Sequence, residues 1–523
     1  MIEPRLEQRA TPISSVSTAA RIAQNSFLCF LAQALDWVLR AIYIVIIARY
    51  LSQADFGFYN FAFSLCMILA ALSNMGLETL LVREISRDKG KAAAYFGQAL
   101  LFTLVTMALA SGILLAILQM VGSSAERRAA FFLMAIGFFF RRSCQLLLSV
   151  PRAYERMEYE IIFSLFEGFG LMLLVILAIS LRLGPMGVFL TFCTAYFIEF
   201  SVGLWLVSTR FARPSWRQAT LQNIGKMVST AIPMGVASLA TVTNSHSGLL
   251  LLPLVASETE AGIYGAAFSF IKGLFLIPRS LQVGMLPVFS QVFLTARDSM
   301  QRLLEKMLKL ILILVLAIAV PMAALARPIL QLLYQDKYLA ATLPLQIISA
   351  TIVLLFLNFI LINFLYSVDR QQIVGLSLAL SLVVSFGALA LLGPSWGSVA
   401  AALAQLLAEA TVLVFNIAAI ARGFSGEQGS HKMSWIRIGA KPALAALAMG
   451  GILLGGSHAA ASAGTVMALL WAPVGLGVYV MMLLALRTFD SEERRLLRAL
   501  VGEALGRVPF RLRAYGLGRG NRG

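Results

Sequence analysis

Charge is scarce in this sequence, and so are the residues that usually build disulfide and metal sites. Of 523 residues only 13% are Asp, Glu, Lys or Arg, and there are four cysteines and three histidines. Cys29, Cys66, Cys144 and Cys193 all fall inside apolar runs and share no CxxC or paired-loop spacing. That pattern argues against a disulfide framework and against a zinc centre, so they read as small apolar residues. His246, His431 and His458 are scattered, and His246 in its apolar run fits either a satisfied buried histidine or a proton relay. No cofactor is expected. No loop holds a carboxylate pair with metal-ligand spacing, which weighs against an enzyme.

Hydrophobic residues make up 59% of the chain. Apolar stretches of about 20 residues, long enough to cross a hydrocarbon core of about 30 Å, recur from Ser26 to Leu486. Their uniform apolarity lacks the alternation of a membrane barrel, so the expected class is an all-α polytopic membrane protein. We read about fourteen spans, near 25–47, 57–81, 95–119, 129–149, 160–181, 186–208, 228–252, 261–286, 303–325, 343–366, 373–392, 396–420, 439–456 and 464–486. The polar lead with Glu3, Arg5, Glu7 and Arg9 lacks the features of a secretory signal, so no removal is expected. Alternate loops divide the cations sharply. One side holds only Arg49, Arg127, Arg128, Arg182, Arg327 and Lys337, while the other collects both termini and nearly all other loop Lys and Arg. By the positive-inside rule the rich side is cytoplasmic, giving a multi-pass membrane protein with both termini inside. This bias explains most of the net charge of +17, so no nucleic-acid partner is expected.

The chain repeats itself. Gly57-Phe58-Tyr59-Asn60-Phe61-Ala62-Phe63-Ser64 matches Gly262-Ile263-Tyr264-Gly265-Ala266-Ala267-Phe268-Ser269, and Leu183-Gly184-Pro185 matches Leu392-Gly393-Pro394. Six spans therefore form a unit that occurs twice in the same orientation, with substrate expected near the midplane between the copies. The expected organisation is a segment at 1–24, an N-lobe at 25–211, a linker at 212–225 and a C-lobe at 226–421. A loop at 422–438 leads to two appended spans at 439–486, rich in Gly and Ala, and a basic tail at 487–523. Arg494, Arg495, Arg498, Arg507, Arg511 and Arg513 alternate there with apolar residues. Such a tail fits an amphipathic segment lying on anionic lipid, or a solvated end.

An ionisable group in a span needs a reason, since it costs several kcal/mol, by estimates from about 2.5 upward. The repeat supplies an internal control, because a charge present in one copy only is a better candidate for function than one present in both. Glu199 and Glu409 align with each other, which suits a structural role or ion coupling. Asp36, Arg40, Arg141, Arg142, Lys272 and Arg279 have uncharged counterparts. Asp36 and Arg40, four apart, either neutralise each other or face a cavity. One of Arg141 and Arg142 is expected to pair with a carboxylate such as Glu167. Arg279 stands about 27 Å along its helix, near enough to the edge to snorkel, whereas Lys272 stands about 16 Å in. Lys272 has no acidic residue within four positions and shares a helical face with Arg279. Arg40, Arg141, Arg142, Lys272 and Arg279 outnumber Asp36 and Glu167, which favours an anionic substrate.

"ARYLSQADFGFYNFAFSL" from Ala48 and "LSNMGLETLLVREISR" from Leu72 resemble the first repeat of the polysaccharide transporters and O-antigen flippases. These belong to the multidrug, oligosaccharidyl-lipid and polysaccharide exporter superfamily. The resemblance implies a flippase for polyprenyl-pyrophosphate-linked oligosaccharide, moving polysaccharide units to the outer leaflet, with the last two spans forming a groove for the lipid tail. It also implies a place in the bacterial inner membrane and a polysaccharide polymerase or export machinery as a partner. In that reading Lys272, Arg279, Arg141, Arg142, Arg40 and Asp36 bind substrate by alternating access, and Glu167, Glu199 and Glu409 are the carboxylates available for coupling. Those three carboxylates keep open a multidrug or cation antiporter of the same superfamily. A membrane-embedded polysaccharide-synthesis enzyme fits less well, because the outer loops are short.

Overall fold

The computed structural model of the protein describes residues 15–74, 76–120, 124–215, 220–274, 277–278, 297–424, 435–459 and 464–489. Among them there are helices and no strands. Hydrocarbon leaves no water for backbone N–H and C=O groups, and a helix satisfies them within its own segment. Ten helical stretches of the described residues are long and apolar enough to cross a membrane.

In chain order the helices are α1 (Ser15–Tyr50), α2 (Gln53–Asn74), α3 (Leu77–Arg87), α4 (Ala92–Met120), α5 (Ala125–Ala153), α6 (Glu158–Ser180) and α7 (Gly184–Arg210). The second half has α8 (Leu221–Val255), α9 (Glu258–Leu274), α10 (Arg297–Ala324), α11 (Ala326–Tyr334), α12 (Thr342–Ser367) and α13 (Gln371–Phe424). Then come α14 (Trp435–Ala459), α15 (Thr465–Leu469) and α16 (Trp471–Ala485).

One boundary differs from the expectation. The second span stops at Asn74 and not near residue 81, because Gly76 turns the chain with φ +79° and the polar Glu78, Arg83 and Glu84 follow. That stretch forms the amphipathic α3, which buries Leu77, Leu80, Leu81 and Ile85. The eleventh and twelfth spans are the two arms of α13, separated as expected by a sharp bend at Gly397, where the backbone leaves the helical range with φ +49°. Glu260 holds this bend by accepting the Ser398 N–H at 2.6 Å.

Packing repeats with the sequence. In the first half α1 lies on α6, α5 on α7 and α4 on α5; in the second, α8 lies on α13, α12 on α13 and α10 on α12. Both copies also start their second span with the same cap. The Asp55 N–H donates to the Ser52 hydroxyl at 3.0 Å, and the Glu260 N–H to the Ser257 hydroxyl at 3.2 Å. The halves meet chiefly through α2 against α9 and α8. A Cβ on Gly57 would stand 1.8 Å from the Glu258 carbonyl oxygen, and one on Gly262 2.0 Å from that of Gln53. Those two contacts are the same contact seen from either copy. Helices α14 and α16 pack against each other and against α10, beside the second half. Tyr479 donates to the Ile313 carbonyl at 2.9 Å and Thr465 to Gln331 at 2.8 Å.

A methyl group at Gly57 or Gly262 must push two backbones apart. Gly57→Ala or Gly262→Ala is expected to lower the unfolding temperature in detergent, with a loss of about 1–3 kcal/mol. Gly170→Ala, whose Cβ would meet nothing within 4 Å, is expected to leave the temperature unchanged or raise it.

Candidate functional site

Between the halves lies a cavity of about 550 Å³, bounded by α1, α2, α5, α6, α7, α8 and α9 and closed at the cation-poor end by the last turn of α11. Its first-half wall carries an ionic cluster. Arg40, one turn after Asp36 on α1, donates from Nε to Asp36 Oδ2 at 2.8 Å. Its Nη2 pairs with Glu167 of α6. Arg141 of α5 approaches the other Glu167 oxygen at 3.3 Å, and the Tyr196 hydroxyl of α7 donates to that same oxygen. One carboxylate thus ties four helices together. The Arg141 guanidinium also lies 5.7 Å from the ring centres of Phe138 and Tyr196. Gly168 makes this close docking of α1 on α6 possible, since a Cβ there would sit 2.9 Å from Leu39 and 3.1 Å from Asp36.

Lys272 faces this cluster from α9. Its ammonium stands 4.8 Å from the Phe63 ring and 5.3 Å from the Phe268 ring, an arrangement that attracts a cation to the electron-rich ring faces. Phe63 and Phe268 are equivalent positions of the repeat, so the motif shared by both copies supplies the two walls around a lysine found in one. Among the described residues no carboxylate pairs with Lys272, and the charge bearing on it is the repulsive Arg141 guanidinium. His246 is hydrogen-bonded to Ser64 at 3.0 Å and flanked by the same two phenylalanines. Toward the cation-rich end, Arg152 and Glu160 line the cavity and pair through two contacts, 2.9 and 3.2 Å long.

Other candidates go elsewhere. Arg142 turns away from the cavity and pairs with Glu78 of α3 at 2.8 Å, because adjacent residues on a helix point about 100° apart. Arg279 lies outside the described residues. Glu409 does not line the cavity; it accepts from the Asn358 side chain at 2.8 Å and from Gln405 at 3.4 Å. Glu199, its counterpart, does line the cavity and is 5% exposed, with no hydrogen bond or ion pair among the described residues. Among the described residues the charges lining the cavity are therefore even in number: Arg40, Arg141, Arg152 and Lys272 face Asp36, Glu160, Glu167 and Glu199. What distinguishes them is pairing, since each arginine has a carboxylate and Lys272 has none.

Sequence reasoning missed Tyr196, Phe63 and the Arg152–Glu160 pair. Phe63 was legible as half of the repeated Phe-Ser dipeptide, and Arg152 and Glu160 as opposite charges flanking a helix-to-helix turn. Nothing local marks Tyr196, whose role depends on how α7 docks.

The profile of a family described as polysaccharide biosynthesis protein matches residues 22–293. No curated protein matches the chain. The fold is similar to the lipid II flippase MurJ in an inward closed conformation, with TM-score 0.70, 14% identity, and coverage of 87% of this chain and 98% of that one. It is also similar to a multidrug resistance MATE family transporter of the MOP superfamily in its inward-facing conformation, with TM-score 0.62, 12% identity and coverage of 77% and 100%. An outward-facing conformation of such a transporter gives TM-score 0.56, 12% identity and coverage of 76% and 96%.

Removing Glu167 leaves Arg40 and Arg141 facing each other without a shared counter-charge. Glu167→Ala is expected to destabilise the protein by about 3 kcal/mol, read as a fall in unfolding temperature in detergent. Glu199→Gln should be close to neutral in the same measurement.

Proposed function

Because the chain belongs to the polysaccharide biosynthesis protein family, we propose that it is a flippase carrying a polyprenyl-pyrophosphate-linked oligosaccharide from the cytoplasmic to the outer leaflet. The observation that carries this reading is Lys272, a cation without a carboxylate among the described residues, in a cavity between two repeats. A diphosphate offers such an ammonium the anionic oxygens that the protein withholds, and aromatic walls suit the apolar faces of sugar rings. Arg40 and Arg141 stand ready beside it, already oriented by Glu167 and able to share their remaining N–H groups with phosphate. Arg279, seven residues beyond Lys272, would extend the cationic face, whereas Arg142 serves the α3–α5 contact.

The cation-rich end is the cytoplasmic one in this proposal, with both termini inside an inner membrane. The N-lobe at 25–211 and the C-lobe at 226–421 rock about the seam between α2 and α9, and the polyprenyl chain stays in lipid along α14 and α16. The basic tail rests on anionic lipid. Polysaccharide polymerase or export components would take the cargo at the outer face. Differential binding of the head group to inward-open and outward-open states drives the switch.

A second reading, cation or drug antiport, draws support from Glu199, an unpaired carboxyl at the cavity wall. The two readings part in one assay. In proteoliposomes, Lys272→Ala is expected to cut translocation of lipid-linked oligosaccharide about ten- to hundredfold, as befits one charge-assisted hydrogen bond of about 1.5–3 kcal/mol. Lys272→Glu should be worse. Undiminished flux in Lys272→Ala at normal expression would sink the anionic-substrate reading, and drug efflux abolished by Glu199→Gln would favour the antiporter.

A further inference from the structure

The cation-poor end of the molecule keeps few basic residues, and two of them, Arg49 and Lys337, reach across to the opposite half. Arg49 ends α1, and its guanidinium donates to the carbonyls of Leu332 and Leu333 at 2.6 Å each. These are carbonyls of the last turn of α11, which have no intrahelical partner. Lys337 follows α11 in the turn Gln335–Ala341 and does the reverse. Its ammonium donates to the carbonyls of Ala48 at 3.2 Å, Arg49 at 3.4 Å and Leu51, at the end of α1. Each half therefore caps a helix C-terminus of the other with a cation, where the helix dipole also favours positive charge.

The backbone between the two contacts is strained. Gln335 has φ +60° and ψ −161°, a combination that glycine adopts readily and other residues rarely do. This residue separates the carbonyls that Arg49 holds from the lysine that holds α1, and the Gln53 side chain donates to the Lys337 carbonyl. The strained turn is thus fixed from both sides by the opposite half. A third cross-half contact, Arg127 to Glu258 at 2.5 Å, stands at the same end.

We infer that Arg49 and Lys337 form the outer latch of the transport cycle, a reciprocal exchange of helix caps that holds the outer face shut until cargo is loaded. The inference rests on the alternating-access reading above. Opening the outer face returns five carbonyls and two cations to water and lets the Gln335 backbone relax, so the latch sets how often the outward-open state is visited. It also accounts for cations kept on the side where the charge bias disfavours them.

The test uses a single reporter thiol, Gly273→Cys, in a chain whose Cys29, Cys66, Cys144 and Cys193 are replaced by alanine. Gly273 lines the cavity and a Cβ there meets nothing within 4 Å. A membrane-impermeant maleimide is applied from the outer side of oriented vesicles. With the latch intact, labelling is expected to be slow. Arg49→Gln with Lys337→Met should raise the outer-side rate at least tenfold and lower the rate from the cytoplasmic side, whereas an unfolded protein would label from both. Arg49→Lys with Lys337→Arg should restore the slow rate. An outer-side rate unchanged by the double substitution, or raised together with the inner one, would overturn the latch. Oligosaccharide translocation by the chain without the reporter is measured in parallel. Faster outer labelling alongside absent translocation upholds the latch and removes the flippase reading; unchanged labelling alongside intact translocation does the opposite.

Discussion

A charge inside hydrocarbon must find either an opposite charge or a wet space, and the centre of this molecule is arranged around that requirement. Glu167 meets it for two arginines at once, and in doing so fixes α1, α5, α6 and α7 as one wall. The wall would not close without Gly168, and the cavity would not have a defined shape without the wall. Lys272 meets the requirement differently, by resting on two aromatic rings in a cavity wide enough for water. Neutralised and unneutralised cations thus line the same cavity, the first set held by carboxylates and the second not.

The same solvent explains why so much of the architecture was legible in the sequence. Hydrocarbon forces helices of a given length, so span positions follow from apolar runs, and the repeat follows from shared residues such as Gly57 and Gly262. Where legibility failed, the cause was again physical. Glycine at 76, followed by Glu78, Arg83, Glu84 and Arg87, ends a span that hydrophobicity alone would have continued. The difference between Glu199 and Glu409 could not be read from their alignment, because it lies in a neighbour: Asn358 serves Glu409, and among the described residues no side chain serves Glu199. Similarly, that Arg141 faces inward and Arg142 outward depends on helix rotation, which adjacent identical residues do not reveal.

The internal symmetry separates two jobs. Positions shared by both copies, the Ser52 and Ser257 caps, the glycine crossing and the Phe63–Phe268 pair, build the frame and even the walls of the site. Positions found once, Lys272 and the Glu167 cluster, give that frame its chemistry. A duplicated scaffold can in this way be specialised by few substitutions, each of which lands in a cavity that already exists.

The crossing of α2 and α9 bears on both halves at once. Helices that meet at glycines bring backbone against backbone, so the contact leaves no gap, and beside it Asn60 of α2 seats against Gly265 of α9. Gly57 and Gly262, equivalent positions of the two copies, set how near the two halves can come.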